Sequence, residues 1–171
     1  REISFYAFEG CSRLSKITFS DNIEKVEATS FSATPWFNAQ PDGVIYIGKV
    51  LYKVKGKLAQ RSVVTVREGT VSIADCAFCT EDSEYGPNDS GDKNLVFVKL
   101  PDSLENIGNE AFKGCSSLVE IALPDGIKNI GNAAFEGCSS LKFIHIPRSL
   151  SGIEYSAFAS CSSLTEVVIP E

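Results

Sequence analysis

The chain has 171 residues, of which 43% are hydrophobic and 22% are charged, which is the composition of an ordinary globular domain. No apolar run reaches the length of about 18 residues that a membrane helix needs, and the first residues do not resemble a signal peptide. The net charge of −6, without any basic stripe, argues against nucleic acid as a partner. We therefore expect a folded domain that does not itself insert into a membrane.

A short segment recurs along the chain at a constant interval. It is Ala134-Phe135-Glu136-Gly137-Cys138-Ser139-Ser140-Leu141, and its near-copies begin at Ala7, Ala111 and Ala157. The phenylalanines of successive copies are 23 residues apart, as shown by Phe8 with Phe31 and by Phe112, Phe135 and Phe158. A fixed period of this size predicts a repeat solenoid, in which each unit buries its core against its neighbours.

Within each unit the apolar residues predict one short strand. In the unit that follows Phe112, Ile121-x-Leu123 alternates as a strand does, and Pro124-Asp125-Gly126 then predicts a turn. Equivalent strands of stacked units are expected to pair in parallel. Asp75 or Asn109, placed before Ala-Phe, predicts the cap of a short helical or 3-10 turn, which a left-handed glycine such as Gly114 would close.

Two stretches break the period. Residues 44–55 read as two β-rich runs around Gly48-Lys49, which predicts an inserted β-hairpin near residues 35–60 with Trp36 as its packing anchor. Residues 81–92 predict an acidic surface loop near residues 80–93, and their carboxylate spacing does not fit a calcium site. We expect a single repeat domain over residues 1–171, cut from a longer array because neither end carries a polar cap.

The six cysteines fall into two groups. One group occupies a single repeat position, and we expect its members to face inward as stacked free thiols: Cys11, Cys115, Cys138 and Cys161. Cys76 and Cys79 instead form a Cys-x-x-Cys pair at positions where other units carry charge, so we expect this pair near the surface. It could be two free thiols, a local disulfide or a redox centre. No second pair or nearby histidine completes a metal site.

No catalytic constellation is apparent in the sequence. His145 is the only histidine, and the serines and aspartates of the repeat recur with it, which argues against a catalytic triad. The chain has neither a phosphate-binding loop nor a dinucleotide fingerprint. We therefore expect no enzyme activity, no metal and no cofactor.

The residues that flank the inward strand positions are expected to form columns on the outer face of the sheet. Phe97 and Phe143 are large aromatic side chains in these columns, and exposed aromatic residues favour partner binding. Isolated aromatics also occur on sheets that bind nothing. The candidate binding face comprises Lys16, Thr18, Thr65, Phe97, Lys99, Glu120, Phe143, His145 and Glu166.

The repeat A-F-x-G-C-S-x-L-x-x-I-x-[IL]-P-x-x-[IL]-x-x-I resembles the BspA-type leucine-rich repeats over residues 1–34 and 61–171. That family implies a right-handed, leucine-rich-repeat-like, β-rich superhelix of short parallel strands, found in surface or secreted proteins of bacteria and some protists. The resemblance therefore implies a non-enzymatic adhesion or binding module, extracellular or at the cell surface. Its partner would be a protein of a host or neighbouring cell, or a glycan. The alternatives are a structural spacer, and a glycan-binding or regulatory domain attached to an enzyme.

Overall fold

The structure, a computed structural model, describes residues 1–80 and 91–170. Most of the predicted acidic loop lies outside these residues. The described part contains short strands, many turns and one helical turn. These elements are β1 (Glu2–Ile3), β2 (Lys25–Val26), α1 (Pro35–Asn38), β3 (Gly43–Ile47), β4 (Val50–Lys55), β5 (Ser62–Thr65), β6 (Ser72–Ile73), β7 (Leu95–Lys99), β8 (Asn106–Ile107), β9 (Glu120–Ile121), β10 (Asn129–Ile130), β11 (Phe143–His145) and β12 (Glu166–Val168).

Most of the strands form two rows, whereas the sequence predicts one strand per repeat; β1 and β2 pair in parallel with each other as a separate sheet. The first row consists of β5, β7, β9, β11 and β12; within it β5, β7 and β9 pair in parallel, and so do β11 and β12. The second row consists of β4, β6, β8 and β10, which pair in parallel in that order. Except for β4, the second-row strands are two residues long, too short to show the alternation by which a strand is recognised in sequence.

The Ala-Phe segments form tight turns and not the predicted helical or 3-10 turns. The residue before each Ala-Phe has a positive φ, and its carbonyl accepts a hydrogen bond from the N–H three residues later. These first residues are Tyr6, Cys76, Glu110, Ala133 and Ser156, with φ of 57°, 50°, 55°, 53° and 55°. Asp75 and Asn109 do not cap their own turns, because the Asp75 side chain accepts hydrogen bonds from Asn109, and that of Asn109 accepts them from Asn132, in each case from the next unit. Gly114 and Gly137 have φ of 71° and 73°, as predicted for left-handed residues.

A column of phenylalanines runs through the core of the regular units. Phe78, Phe112, Phe135 and Phe158 stack face to face, with ring centroids 4.6, 5.1 and 5.3 Å apart. Phe112 and Phe135 are completely buried, and burial of a side chain of this size contributes about 2 to 3 kcal/mol. This column explains why the phenylalanine recurs with the period of the repeat.

The predicted hairpin is confirmed and separates two cores. β3 and β4 pair antiparallel, and Gly48 in the connecting turn has a φ of 56°. Because strand side chains alternate, Leu51 packs into the larger core of residues 51–161, while Val50 and Tyr52 pack into a smaller core of residues 23–74. β4 also pairs in parallel with β6, so the hairpin supplies one strand of the second row.

The helical turn α1 packs under the hairpin. Thr34 caps it by accepting a hydrogen bond from the Phe37 N–H at 3.1 Å, and Pro35 occupies its first position. Trp36 lies 5.2 Å from Phe19 and 5.1 Å from Phe31 between ring centroids, in the smaller core, which confirms its prediction as a packing anchor.

A half-buried lysine, Lys55, joins the hairpin to the helical turn. Lys55 of β4 donates hydrogen bonds to the carbonyl oxygens of Phe37, Asn38 and Gln40, at 3.2, 2.8 and 2.7 Å. These carbonyls lie at the C-terminal end of α1, where a cation is favourable. The lysine therefore serves the fold of the hairpin region and is not simply a solvated charge.

Candidate functional site

The first row presents two columns of outward side chains. The strand register places Val63 beside Phe97 and Phe97 beside Glu120, and it places Thr65 beside Lys99. In the adjacent pair of strands, Phe143 lies beside Glu166 and His145 beside Val168. Seven of the nine residues in the candidate binding face therefore lie on first-row strands, where parallel pairing sets adjacent members side by side. We call this surface the strand face.

Apolar side chains lie among the charges of the strand face. Val63 is 63% exposed and Phe143 is 45% exposed, while Phe97 is half-buried between its neighbours. Lys99, Glu120, His145 and Glu166 are exposed. An exposed apolar group surrounded by charges has the character of a recognition surface with a polar rim.

Lys16 and Thr18 do not join this face through a strand. Both are exposed, but residues 14–20 have no strand conformation, and β5 is the edge strand of its sheet. Residues 14–20 have α1 as their neighbour in place of a strand, since the Trp36 N–H donates to the Leu14 carbonyl at 2.9 Å. The expected columns are thus interrupted where the repeat becomes irregular.

A polar groove beside the second row was not predicted from the sequence. It has a volume of about 550 Å³ and runs along β2, β6, β8 and β10. Its lining includes four carboxylate side chains, which are Glu24, Glu27, Asp75 and Glu154, and four amide side chains, which are Asn106, Asn109, Asn129 and Asn132. We call it the amide groove. The asparagines recur with the 23-residue period, and this recurrence was the signal that could have revealed the groove.

Hydrogen bonds between successive units arrange Asp75 and the four asparagines as two ladders. Asn129 Nδ2 donates to Asn106 Oδ1 at 2.7 Å. The backbone N–H of Asn109 donates to Asp75 Oδ1 at 2.7 Å, and that of Asn132 donates to Asn109 Oδ1 at 2.9 Å. Burial raises the pKa of Asp75, and the two hydrogen bonds from Asn109 offset only part of this effect. The ladders hold their amide groups in fixed orientations along the groove.

Glycines allow the units to approach closely at the amide groove. A Cβ on Gly131 would lie 2.6 Å from the backbone nitrogen of Asn109, and one on Gly108 would lie 2.4 Å from Asp75 Oδ1. Such distances are shorter than van der Waals contact, so a larger residue would force the ladders apart.

The stacked cysteines are buried, with one exception. Cys115, Cys138 and Cys161 are buried free thiols, and the thiols of Cys138 and Cys161 donate to the carbonyls of Phe112 and Phe135, each at 3.2 Å. Burial raises the pKa of all three, that of Cys161 to about 11. Cys11 occupies the same repeat position but is exposed, so its predicted inward placement is wrong.

The Cys-x-x-Cys pair lies partly below the surface. Cys76 is half-buried, as expected for a position near the surface, but Cys79 is only 7% exposed. Cys79 pairs with Gly91 in an isolated antiparallel bridge, and its thiol donates to the Glu110 carbonyl of the next unit at 3.5 Å. Both thiols are free in this structure.

Short parallel strands in two rows, joined by turns that recur every 23 residues, define a leucine-rich repeat fold with almost no helix in its described part. The chain belongs to the family described as the BspA type leucine rich repeat region. Six copies of the repeat match, over residues 1–80 and 90–171, and this match includes the hairpin. No curated protein matches the chain at a significant level.

Three solved structures of bacterial repeat proteins are similar to the chain. A leucine rich repeat protein of T. pallidum has a TM-score of 0.53 and 25% identity, over 69% of this chain and 62% of that one. A leucine rich cell surface protein of Faecalibacterium prausnitzii has a TM-score of 0.57 and 21% identity, over 95% and 49%. A leucine-rich repeat protein of Bacteroides ovatus has a TM-score of 0.55 and 28% identity, over 95% and 44%. The matched region is thus less than two thirds of each of these proteins.

Two further observations concern metals and membranes. Residues 1–80 and 91–170 contain no helix with the length and apolarity needed to cross a membrane. The same residues contain no group of three or more histidine, cysteine, aspartate or glutamate side chains arranged to hold a metal ion.

Proposed function

We propose that the chain is a non-enzymatic binding module of a cell-surface or secreted bacterial protein, stacked as a right-handed solenoid, which adheres to a protein partner through its strand face. Leucine-rich repeat proteins generally mediate protein interactions, and the similar protein of Faecalibacterium prausnitzii is described as a cell surface protein. The observation that carries the proposal is the apolar set Val63, Phe97 and Phe143 among charged neighbours on the strand face.

The physical argument rests on how binding energy is distributed over an interface. Large apolar side chains that become fully desolvated supply most of the energy, and the charged rim supplies specificity. Lys99 and Glu120 lie on strands adjacent to one another, so the face carries both signs of charge. A protein partner with an apolar centre and a mixed rim matches this pattern, whereas nucleic acid does not.

The test is a binding screen followed by paired substitutions. The chain is screened against arrays of purified extracellular-matrix proteins and of glycans, and hits are measured by biolayer interferometry. Phe97→Ala with Phe143→Ala is expected to weaken binding of a protein hit at least tenfold. Tyr155→Ala, which removes an aromatic that is 82% exposed and is not on a first-row strand, is the matched control and should bind normally. Unchanged binding by the double variant would show that the strand face is not the binding surface.

A second candidate is glycan binding in the amide groove. Planar amides held in fixed orientations suit the hydroxyl groups of a sugar, and the Asn129–Asn106 bond leaves Asn106 Nδ2 and Asn129 Oδ1 without a partner among the described residues. A glycan hit that is lost with Asn129→Ala but kept with the Phe97→Ala, Phe143→Ala variant would favour this groove. Absence of any protein or glycan hit would favour the structural spacer.

A further inference from the structure

The turn that contains the Cys-x-x-Cys pair has a geometry that a disulfide can close. The Cys79 N–H donates to the Cys76 carbonyl at 3.1 Å, as the Lys113 N–H does to the Glu110 carbonyl in the next unit. A hydrogen-bonded turn of this kind brings its first and fourth Cα atoms within about 7 Å, and a disulfide spans Cα separations of roughly 4.4 to 6.8 Å. The backbone therefore already holds the two cysteines at bridging range.

The next unit shows where side chains at these two positions point. Glu110 and Lys113 are the equivalents of Cys76 and Cys79, and their charged atoms meet across the same turn at 3.6 Å. The two thiols converge in the same way, since Cys76 Sγ lies 3.7 Å from Glu110 Oε2 and Cys79 Sγ lies 3.5 Å from the Glu110 carbonyl. Both sulfurs thus lie against one residue of the neighbouring unit.

Access to the pair is one-sided. Cys76 lines an open cavity of about 490 Å³ together with Phe37, Tyr52 and Lys53, whereas Cys79 is not among the residues that line it and is 7% exposed. The Lys53 ammonium donates to the Cys76 carbonyl at 3.0 Å, which ties the hairpin to this turn. Cys76 is therefore the thiol of the pair that a small reagent in this cavity meets.

The electrostatic surroundings favour a thiolate at the pair over one in the core. The hydrogen bond from Cys76 lowers the pKa of Cys79, and the Lys53 and Lys113 ammonium groups act in the same direction, against burial and the Glu110 carboxylate. The same hydrogen bond and burial raise the pKa of Cys76. By contrast, the thiol of Cys138 donates to a buried carbonyl, and its pKa is raised by burial.

We propose that Cys76 and Cys79 form a reversible dithiol–disulfide couple that exchanges with low-molecular-weight disulfides entering through the cavity beside Lys53. The Cys76 sulfur gives up its proton to solvent and attacks one sulfur of a disulfide RSSR, whose S–S bond breaks as one thiolate RS⁻ leaves. Cys79 then attacks the mixed disulfide at Cys76 and displaces the second RS⁻, and the two thiol protons end on two RSH. The two cysteines lose two electrons, which reduce RSSR. This site does not depend on the binding function proposed above.

The test follows thiols in glutathione buffers of increasing oxidising strength, in a Cys11→Ser background that removes the exposed thiol. After equilibration the protein is denatured, alkylated, digested and analysed by mass spectrometry. Of the six cysteines five remain in this background, and the free thiols are expected to fall to three, with Cys76 and Cys79 bridged in one peptide. Dithiothreitol should restore all five. Five free thiols at every buffer ratio, or a bridge that involves a core cysteine, would overturn the proposal.

Two variants separate chemistry from folding. Cys76→Ser with Cys79→Ala copies the residues that Ser156 and Ala159 provide at the same turn positions, so it should fold normally by circular dichroism and keep a constant thiol count. Cys79→Ala alone should accumulate glutathione on Cys76, because nothing then displaces it. If Cys76 stays unmodified in this variant, the proposed route of entry is wrong.

Discussion

Residues 91–161 and residues 23–74 build their cores in two different ways. In the regular units the same contact is made several times: Phe135 stacks on Phe112, and Cys161 donates to the Phe135 carbonyl as Cys138 does to that of Phe112. In the hairpin region each contact occurs once. Phe31 there meets the rings of Trp36 and Tyr52 edge-on, and it stacks only on Phe8.

The difference shows what an interruption of the repeat requires. A repeated contact needs only one residue pattern, because each unit packs in the same way against the unit before it and the unit after it. The hairpin needs its own set of contacts, such as the Arg67 guanidinium over the Tyr46 ring at 4.3 Å and the Arg67 hydrogen bond to the Gly48 carbonyl at 2.6 Å. Substitutions in the two regions should therefore change the free energy of unfolding by different amounts.

The largest effect is expected in the phenylalanine column. Phe112→Ala removes a completely buried ring that stacks on Phe78 and Phe135, so we expect the free energy of unfolding to fall by about 3 to 5 kcal/mol. Urea denaturation followed by circular dichroism measures this change. Phe158→Ala, at a half-buried position of the same column, should cost less. Equal losses for the two variants would show that burial and stacking inside the column do not determine the loss of unfolding free energy.

A smaller effect is expected for the single hydrogen bond that ties the hairpin to Phe31. The Tyr52 hydroxyl accepts from the buried Phe31 N–H at 3.3 Å. Tyr52→Phe leaves that N–H without its partner, so we expect a loss of about 1 to 3 kcal/mol by the same measurement. Tyr155→Phe, at an exposed position, is the control and should have almost no effect. A Tyr52 variant as stable as the parent would mean that water replaces the hydroxyl.

The smallest effect concerns pH, at the point where the two regions meet. Because burial raises the pKa of Asp75, the stability that this group contributes is present when it is protonated and is lost as the pH rises through its folded pKa. Asp75→Asn should therefore be more stable than the parent at pH 7, by less than about 1 kcal/mol. The gap should close below a pH of about 4, near the ordinary aspartate pKa.

The measurement for this substitution is urea denaturation at both pH values. The neutral amide of Asn109 already accepts hydrogen bonds from the backbone N–H and the Nδ2 of Asn132, which are the equivalents of the two donors to Asp75. An asparagine should therefore fit at position 75. Asp75→Ala is the control, since it loses the hydrogen bonds as well as the charge and should be less stable than the asparagine variant. An asparagine variant that is less stable than the parent at pH 7 would contradict the raised pKa of Asp75.

Much of the fold could be predicted because its features are periodic. The phenylalanine column and the parallel first row follow from the spacing of the repeat, and the hairpin, which interrupts the period, follows from the two β-rich runs around Gly48. The amide groove was missed because Asn106 and Asn109 act through the next unit, and a contact between units is not visible within one. Lys16 and Thr18 were placed on the strand face because the period was extended across α1, where the structure breaks it.

The sequence by itself determined the repeat, its family and the inward residues of the regular units, because each of these units must bury the same face against the next. Only the tertiary structure decided which residues meet across units. It put a second strand in the repeat, buried Cys79 while leaving Cys76 at a cavity, and divided the core at β4. The physical reason is that packing between units depends on where the chain rejoins the stack of units after an interruption. A local sequence pattern carries no information on that position.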